Sequence, residues 1–129
     1  MPINLRSPRA DEVLSVQGVE LGVSRACIRK PNRKDLLVMR LAPGAVVAGV
    51  FTRNRFCAAP VILAKRHLAT GKGVRTLIVN TGNANAGTGG DGLKRAWSVC
   101  SSLASFLNCK PERILPFSTG VIMEPLPVD

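Results

Sequence analysis

The sequence predicts a mixed α/β fold, of the α/β or α+β class, because stretches with strand periodicity alternate with stretches with helical periodicity. Val19, Leu21 and Val23 alternate with polar or small residues, which is typical of a half-buried strand. Segment Gly92–Leu107 carries apolar residues at helical spacing along one stripe. The chain has 129 residues, of which 46% are hydrophobic and 20% charged, so it can form a core and is not wholly disordered.

The first half of the chain predicts an irregular lead-in followed by three strands. We expect the lead-in at residues 1–17 and a single lobe at residues 18–129. After the strand around Val19, the apolar run Leu36–Leu41 predicts a second strand between two turns. Small and β-branched residues over Ala45–Thr52 predict a third strand that is buried on both faces.

The middle of the chain predicts one helix, one strand and one long loop. Val61–Thr70 begins like a short strand and becomes helical, and the glycines after it end that element. Arg75–Asn80 is consecutively apolar at its centre and predicts a strand. A loop rich in glycine and asparagine follows over Thr81–Gly90.

The last third predicts a long helix and a final strand. Asp91 is the expected N-cap of the helix Gly92–Leu107, because a carboxylate suits a helix N-terminus. Pro111 prevents the helix from continuing. Ile114–Phe117 then predicts a short strand, and Ser118–Gly120 is expected to be a turn.

The chain is strongly basic, with a formal net charge of +10. No acidic residue lies between Asp35 and Asp91, and Arg53 and Arg55 share one face if that stretch is extended. One interpretation is a solvated basic face, and another is a surface that docks an acidic partner chain or carboxylate ligands. With no Tyr and only four Phe, the chain lacks the stacking platforms of single-strand nucleic-acid binders. A stand-alone basic binding module, for nucleic acid or an acidic protein, stays open as the alternative function.

The cysteines favour neither a zinc site nor a disulfide framework. No two of them form a C-x-x-C pair: Cys27, Cys57, Cys100 and Cys109. With His67 as the only histidine, we expect no metal site. We expect reduced thiols in a cytoplasmic protein, with no secretory signal because the first residues lack an apolar segment. We expect no membrane span either, since the weakly polar run Leu41–Phe51 is short and contains proline and glycine.

Gly87–Gly92 fits the G-x-G-x-x-G pattern of dinucleotide-binding loops. We reject that interpretation because six residues separate Asn80 from Gly87, whereas the pattern should follow its strand almost directly. Asp91 would also place a second anion where a pyrophosphate binds. No cofactor is therefore expected.

Asn80–Asn85 allows two interpretations. Three asparagines with glycine and alanine can form a compact loop with left-handed residues and side-chain caps. Alternatively, this polar loop at the end of a strand contacts a substrate.

Pro116–Val121 contains the sequence Ser118-Thr119-Gly120 at the end of the last predicted strand. Such an arrangement can point a hydroxyl and a backbone N–H at one spot, which are the ingredients of an oxyanion hole. Ser118 or Thr119 as a nucleophile is disfavoured, because nothing in the sequence places His67 nearby. On a basic helix, we expect His67 at the surface.

Three long segments, taken together and in order, resemble the N-terminal part of the ornithine acetyltransferase family, the bifunctional arginine-biosynthesis enzymes called ArgJ. They are Ala48–Val61, Val79–Gly89 and Leu115–Ile122. The resemblance runs from about Gly18 to the end of the chain, and three ordered segments are far more specific than any single motif.

The resemblance implies a layered αββα fold and a precursor that cleaves itself, just before a threonine, into α and β chains. That threonine would take acetyl from N-acetylornithine and pass it to glutamate through an acetyl-threonine intermediate, and some members also use acetyl-CoA. The α and β chains would assemble as an α2β2 heterotetramer. Thr119 and Gly120 match the family's oxyanion hole, so Thr119 would donate its hydroxyl and Gly120 its backbone N–H.

The resemblance also implies that this chain is only part of an α chain. The family's cleavage site and catalytic threonine lie downstream of Asp129, so we expect the chain to be inactive alone. Met123 stands where many relatives have glycine, a departure that we do not expect to alter the oxyanion hole.

Overall fold

The structure, a computed structural model, describes residues 6–128. Its regular elements are strands β1 (Val19–Ser24), β2 (Leu36–Leu41), β3 (Thr76–Asn83) and β4 (Ile114–Val121) and helices α1 (Ala59–Ala69) and α2 (Gly89–Phe106). Two short 3-10 turns cover Ala10–Glu12 and Pro111–Arg113. The predicted mixed α/β class is therefore confirmed, while the division at residues 17 and 18 stays a prediction.

The strands form a sheet in the order β1-β2-β3-β4. β1 and β3 each pair with β2 antiparallel, whereas β3 and β4 are parallel. Parallel neighbours need a crossover connection, and α2 supplies it. Within residues 6–128, β4 is therefore an edge strand, and its C-terminal end lies beside the C-terminal end of β3.

The core lies between one face of this sheet and the helices. Ile78 of β3 and Ile114 of β4 are buried against Ala96, Cys100 and Ala104 of α2. These three helical positions lie on the stripe that the sequence predicts, and their small side chains let α2 approach the sheet closely. α1 packs beside α2 and along β4.

The other face of the sheet is apolar and only partly covered. The strand register places Val23, Leu37, Val79 and Phe117 in one row across all four strands, on the face opposite to Ile78. Val23 is 57% exposed and Phe117 is 42% exposed. We call this surface the open apolar face, and its residues are Leu21, Val23, Leu37, Met39, Val79 and Phe117.

The predicted strand at Ala45–Thr52 is wrong, because this segment is irregular and pairs with no strand in the described part of the chain. Val46 and Val50 are fully or almost fully exposed, whereas Val47 and Phe51 pack on the sheet face near the start of β4. Strand propensity describes side chains that fit a pleated surface, not the backbone pairing itself. Here alternate side chains anchor the segment without a ladder.

α1 is helical throughout, so the predicted strand-like start at Val61 is wrong. The helix begins two residues earlier, at Ala59, and Pro60 occupies its first turn. Proline suits this position because its ring fixes a helical φ and its missing N–H would have had no helical partner. The helix ends at Ala69 with Thr70 as its C-cap, before the glycines that were expected to end it.

β3 and α2 both extend further than the sequence predicts, which shortens the loop between them. β3 continues to Asn83, and α2 begins at Gly89 with Thr88 as its N-cap. Asp91 is therefore in the first turn of α2 and is not its N-cap. From the first turn its charge still complements the helix dipole, and it forms an ion pair with Arg95 at 2.7 Å. Neither this helix nor any other in residues 6–128 is long and apolar enough to cross a membrane.

Asp35 is a buried carboxylate that fixes the chain before β2. It accepts backbone N–H bonds from Ala26 at 2.7 Å and from Ile28 at 2.8 Å, and the Ala26 bond does most to lower the pKa of this carboxyl below its ordinary value. Its own carbonyl accepts the N–H of Thr81 at 2.9 Å. Asp35 thus links the loop before β2 to the end of β3.

Candidate functional site

Thr119 and Gly120 lie near the C-terminal end of β4, where both are exposed. They face Thr81 and Gly82 of β3 in the parallel register. The predicted turn at these positions is wrong, because the strand continues through them to Val121. Both residues named from the sequence therefore lie on β4, beside the C-terminal end of its parallel neighbour β3.

Gly120 occupies a position that no other residue fits. Its φ is +135°, a backbone conformation that L side chains rarely adopt. A Cβ there would overlap the carbonyl carbon of Gly82 and lie 2.5 Å from the backbone nitrogen of Asn83. The register between β3 and β4 shifts at these same two residues, which form a β-bulge. Gly120 therefore lies directly against the bulge.

Thr119 and Ser118 point to opposite faces of the sheet, because side chains alternate along a strand. Thr119 follows Phe117 by two residues and so belongs on the side of the open apolar face. Ser118 is on the helix side, where its hydroxyl donates to the Oδ1 atom of Asn80 at 2.5 Å. The sequence does not reveal this bond, since it depends on the pairing of residues 38 positions apart.

The asparagine-rich segment forms a compact, internally bonded structure, which is the first of its two interpretations. Asn80, Asn83 and Asn85 are all buried. The side chain of Asn83 accepts the N–H of Asn85 at 2.7 Å, and Asn85 has a left-handed φ of +46° and donates to the carbonyl of Gly92 at 2.9 Å. These side chains bond to the protein's own backbone and, in the case of Asn80, also to the Ser118 hydroxyl.

Asn83 also holds the segment after β4 in place. Its side-chain amide donates to the carbonyls of Glu124 and Pro125, each at 3.2 Å. Met123 precedes these residues with a left-handed φ of +65°, which explains why glycine suits this position. The Met123 side chain lies so close to Gly87 that a Cβ on that glycine would overlap its sulfur.

His67 is buried, with 3% of its surface exposed, so the expectation of a surface histidine is wrong. Its Nδ1 atom lies 2.7 Å from the carbonyl oxygen of Ile114, and its ring makes an edge contact with Trp97. Its Nε2 atom has no hydrogen-bond partner within residues 6–128. Because Ile114 is at the opposite end of β4 from Thr119, His67 is placed to stabilise the core and not to activate that hydroxyl.

The four cysteines, all within the described residues, are unpaired, and one of them is deeply buried. Burial raises the pKa of the Cys100 thiol to about 12, so this thiol stays protonated at neutral pH. It packs among the core residues of α2, as its position on the apolar stripe predicts. Cys100 is consequently a packing residue and a poor nucleophile.

Four of the seven basic residues of the acid-free stretch lie on α1 or beside it. Arg53 lines a cavity of about 360 Å³ with Lys65 and Arg66, and Arg55 lines a second one of about 410 Å³ that Arg66 also borders. The side chains of Arg53, Arg55, Lys65 and Arg66 are exposed. Arg53 and Arg55 lie on an irregular segment, so strand alternation does not relate them. Gly87 and Gly89 of the G-x-G-x-x-G pattern border the second cavity.

Comparison with known proteins identifies the family. The model of the ArgJ family matches residues 19–129. The arginine biosynthesis bifunctional protein argJ from Bacillus halodurans has a similar structure, with 33% sequence identity and a TM-score of 0.81. So does the ornithine acetyltransferase from Mycobacterium tuberculosis in its complex with ornithine, with 33% identity and a TM-score of 0.77.

Each match covers 88% of this chain, and the chain spans 59% of the Bacillus protein's chain and 61% of the Mycobacterium protein's chain. This chain thus spans about three-fifths of the length of both. The agreement over 88% of the chain also confirms the fold type that the resemblance implied. Since the family model covers all of β1 to β4 and the structural matches agree with it, the chain belongs to the ArgJ family.

Proposed function

We propose that this chain is part of the α chain of a glutamate N-acetyltransferase that transfers acetyl from N-acetylornithine to glutamate in arginine biosynthesis. In this proposal Thr119 and Gly120 form the oxyanion hole, and the nucleophile is a threonine outside the chain. The observation that supports it is the placement of Thr119 and Gly120 at the shared end of β3 and β4, in a chain of the ArgJ family.

The proposed reaction has two acyl-transfer steps. The threonine hydroxyl attacks the acetyl carbonyl of N-acetylornithine, a C–O bond forms, and the carbonyl oxygen becomes an oxyanion. The hydroxyl of Thr119 and the backbone N–H of Gly120 donate to that oxyanion, and the C–N bond then breaks as ornithine leaves with the proton. The amine of glutamate attacks the acetyl-threonine ester in the same way and regenerates the threonine.

Hydrogen-bond donors stabilise this chemistry because they face charge that develops only in the transition state. Within residues 6–128, β4 has no strand beside its outer edge, so its donors can reach substrate from that side. The close approach of Gly120 to Gly82 supports a fixed position for its backbone. A rigid donor needs no reorganisation at the moment of reaction, which is the physical basis of the catalytic gain.

The proposed partner is the β chain released from the same precursor, in an α2β2 assembly located in the cytoplasm. The intact mass of the purified product of the complete gene tests this directly. We expect two chains that purify together, the second of which begins with threonine. A single uncleaved chain would contradict the self-cleavage part of the proposal.

Substitution of Thr119 tests the oxyanion role in the complete enzyme. We expect Thr119→Ala to lower kcat roughly 10²- to 10³-fold, which is the usual effect of removing one oxyanion donor. Thr119→Ser keeps a hydroxyl and should retain most of the activity. Thr70→Ala is the matched control, because Thr70 caps the far end of α1 and donates to the carbonyl of His67. Near-normal turnover by Thr119→Ala would rule out the proposed role.

A further inference from the structure

We propose that Asn80 and Ser118 are positioning residues that hold the backbone of Thr119 and Gly120 in place from the helix side of the sheet. This inference rests on the proposed function, since it concerns the same oxyanion hole. It assigns no contact with substrate to either residue.

A single amide group connects the two strands that end at the site. Asn80 and Ser118 are directly opposite in the β3–β4 register, and the Ser118 hydroxyl donates to Asn80 Oδ1 at 2.5 Å. The amide nitrogen of Asn80 donates to the backbone carbonyl of Asn83 at 2.8 Å. The amide oxygen of Asn80 thus accepts a hydrogen bond from β4, and the amide nitrogen donates one to a residue of the bulge.

The bulge is the surface against which Gly120 lies. Asn83 is paired with both Thr119 and Val121 across the register shift, and its backbone nitrogen would be 2.5 Å from a Cβ at Gly120. A change in the bulge must therefore move Gly120 or open a gap beside it. Because Asn80 binds the carbonyl of Asn83, it fixes the bulge on the side away from the site.

The surroundings make this bond costly to break. Asn80 is 7% exposed, and it lines an apolar cavity of about 350 Å³ between α2 and the sheet together with Ser118. Hydrogen bonds are stronger in such low-dielectric surroundings, and a polar group that loses its partner there is left unsatisfied. Removal of one partner is therefore expected to make the other move or recruit water, with a shift of the strand ends.

The directions of the Asn80 and Ser118 side chains distinguish a positioning role from direct contact with substrate. Asn80 and Ser118 lie on the helix side, whereas Thr119 points to the side of the open apolar face. The sheet backbone thus stands between the amide of Asn80 and the proposed site of substrate. Displacement of an aligned group by about 1 Å can cost roughly 100-fold in rate, so indirect support of this kind is measurable.

The test compares steady-state kinetics of variants of the complete enzyme. We expect Ser118→Ala and Asn80→Ala to lower kcat roughly 10- to 100-fold while KM changes less than about twofold. Ser118→Thr keeps the hydroxyl and should restore most of kcat. Asn80→Asp keeps the acceptor for Ser118 and loses the donor to Asn83, so its kcat should also fall.

The matched control is Ile78→Val, which removes one methyl group two residues before Asn80 on the same face of β3. It should lower the urea midpoint of unfolding and leave kcat unchanged, because it does not touch the bulge. If Asn80→Ala fails to fold, Ser118→Ala carries the test. Amide hydrogen exchange at Gly120 gives a readout without activity, and it should be faster in Ser118→Ala than in Ile78→Val.

The outcomes separate this inference from the proposed function. A kcat loss in Thr119→Ala, with no loss in Ser118→Ala or Asn80→Asp beyond that of Ile78→Val, overturns the positioning role alone. Normal turnover in Thr119→Ala overturns the proposed function instead. Unchanged exchange at Gly120 in Ser118→Ala would likewise contradict the positioning role.

Discussion

Replacement of Gly120 by alanine is the most direct test of the geometry at the end of β4. The new Cβ would require a side chain at φ +135° and would overlap the carbonyl carbon of Gly82. Neither problem can be relieved by rotation of a side chain, because the three nearest atoms that the Cβ meets all belong to the backbone of β3. The bulge or β4 itself must move.

The expected cost has two parts. A sparsely populated backbone conformation costs about 1–3 kcal/mol, and overpacking costs about 1–3 kcal/mol more. Their sum, about 2–6 kcal/mol, is a large share of the roughly 5–15 kcal/mol that stabilises a typical domain. Because β4 can move and so relieve part of the overlap, we expect a loss of stability near the lower end of that range.

Urea unfolding followed by circular dichroism measures this cost. Gly22→Ala is the matched control, because Gly22 also lies in a strand, has no positive φ, and leaves open space within 4 Å of the position that a Cβ would occupy. We expect Gly120→Ala to lower the free energy of unfolding by at least about 2 kcal/mol relative to Gly22→Ala. Equal stability of the two variants would refute the claim that β3 and β4 meet too closely for a side chain at position 120.

Four further predictions concern residues away from position 120. Asp35→Asn should lower the melting temperature at pH 7; since the pKa of Asp35 is lowered in the folded protein, the wild-type advantage should shrink as the pH falls below about 4. Cys100 should resist alkylation in the folded protein while the exposed Cys27 reacts, because burial keeps the Cys100 thiol protonated. Mass spectrometry of labelled peptides measures both rates, and labelling of Cys100 before Cys27 would contradict the prediction. His67→Leu should destabilise by about 1–3 kcal/mol because it leaves a buried carbonyl without this donor, and His67→Asn should recover part of the loss in the same urea assay. Met123→Gly should raise the melting temperature, because it removes a left-handed methionine that is 65% exposed; a lower melting temperature would mean that the contact with Gly87 outweighs the strain.

The elements that the sequence predicts well are those whose periodicity reflects a real partner. β1 and β2 pair as strands, as their alternating and apolar patterns predict, and the buried stripe of α2 follows from its helical spacing. β1 is nevertheless not half-buried as expected, because Leu21 and Val23 are 67% and 57% exposed. Ala45–Thr52 has the same residue types but anchors through two side chains and forms no ladder with the described strands, which composition cannot reveal. The burial of His67 escaped prediction for a similar reason, since its partner is the carbonyl of Ile114, 47 residues away.

The residues of the candidate site also differ in whether the sequence alone can identify them. Thr119 and Gly120 are recognisable because a contiguous motif carries them. Asn80 and Ser118 are separated by 38 positions and meet only through the parallel register of β3 and β4, which the sequence does not specify. Local sequence therefore points to the proposed donors, and only the fold points to the group that would support them.

The open apolar face has a consequence for temperature. Val23, Leu37, Val79 and Phe117 form a continuous apolar row, with Val23 and Phe117 still about half exposed. Any association that covers this row removes apolar area from water and must carry a negative change in heat capacity. Such an association loses strength on cooling, because the hydrophobic contribution weakens at low temperature. An assembly held together through the open apolar face should accordingly be less stable in the cold than at moderate temperature.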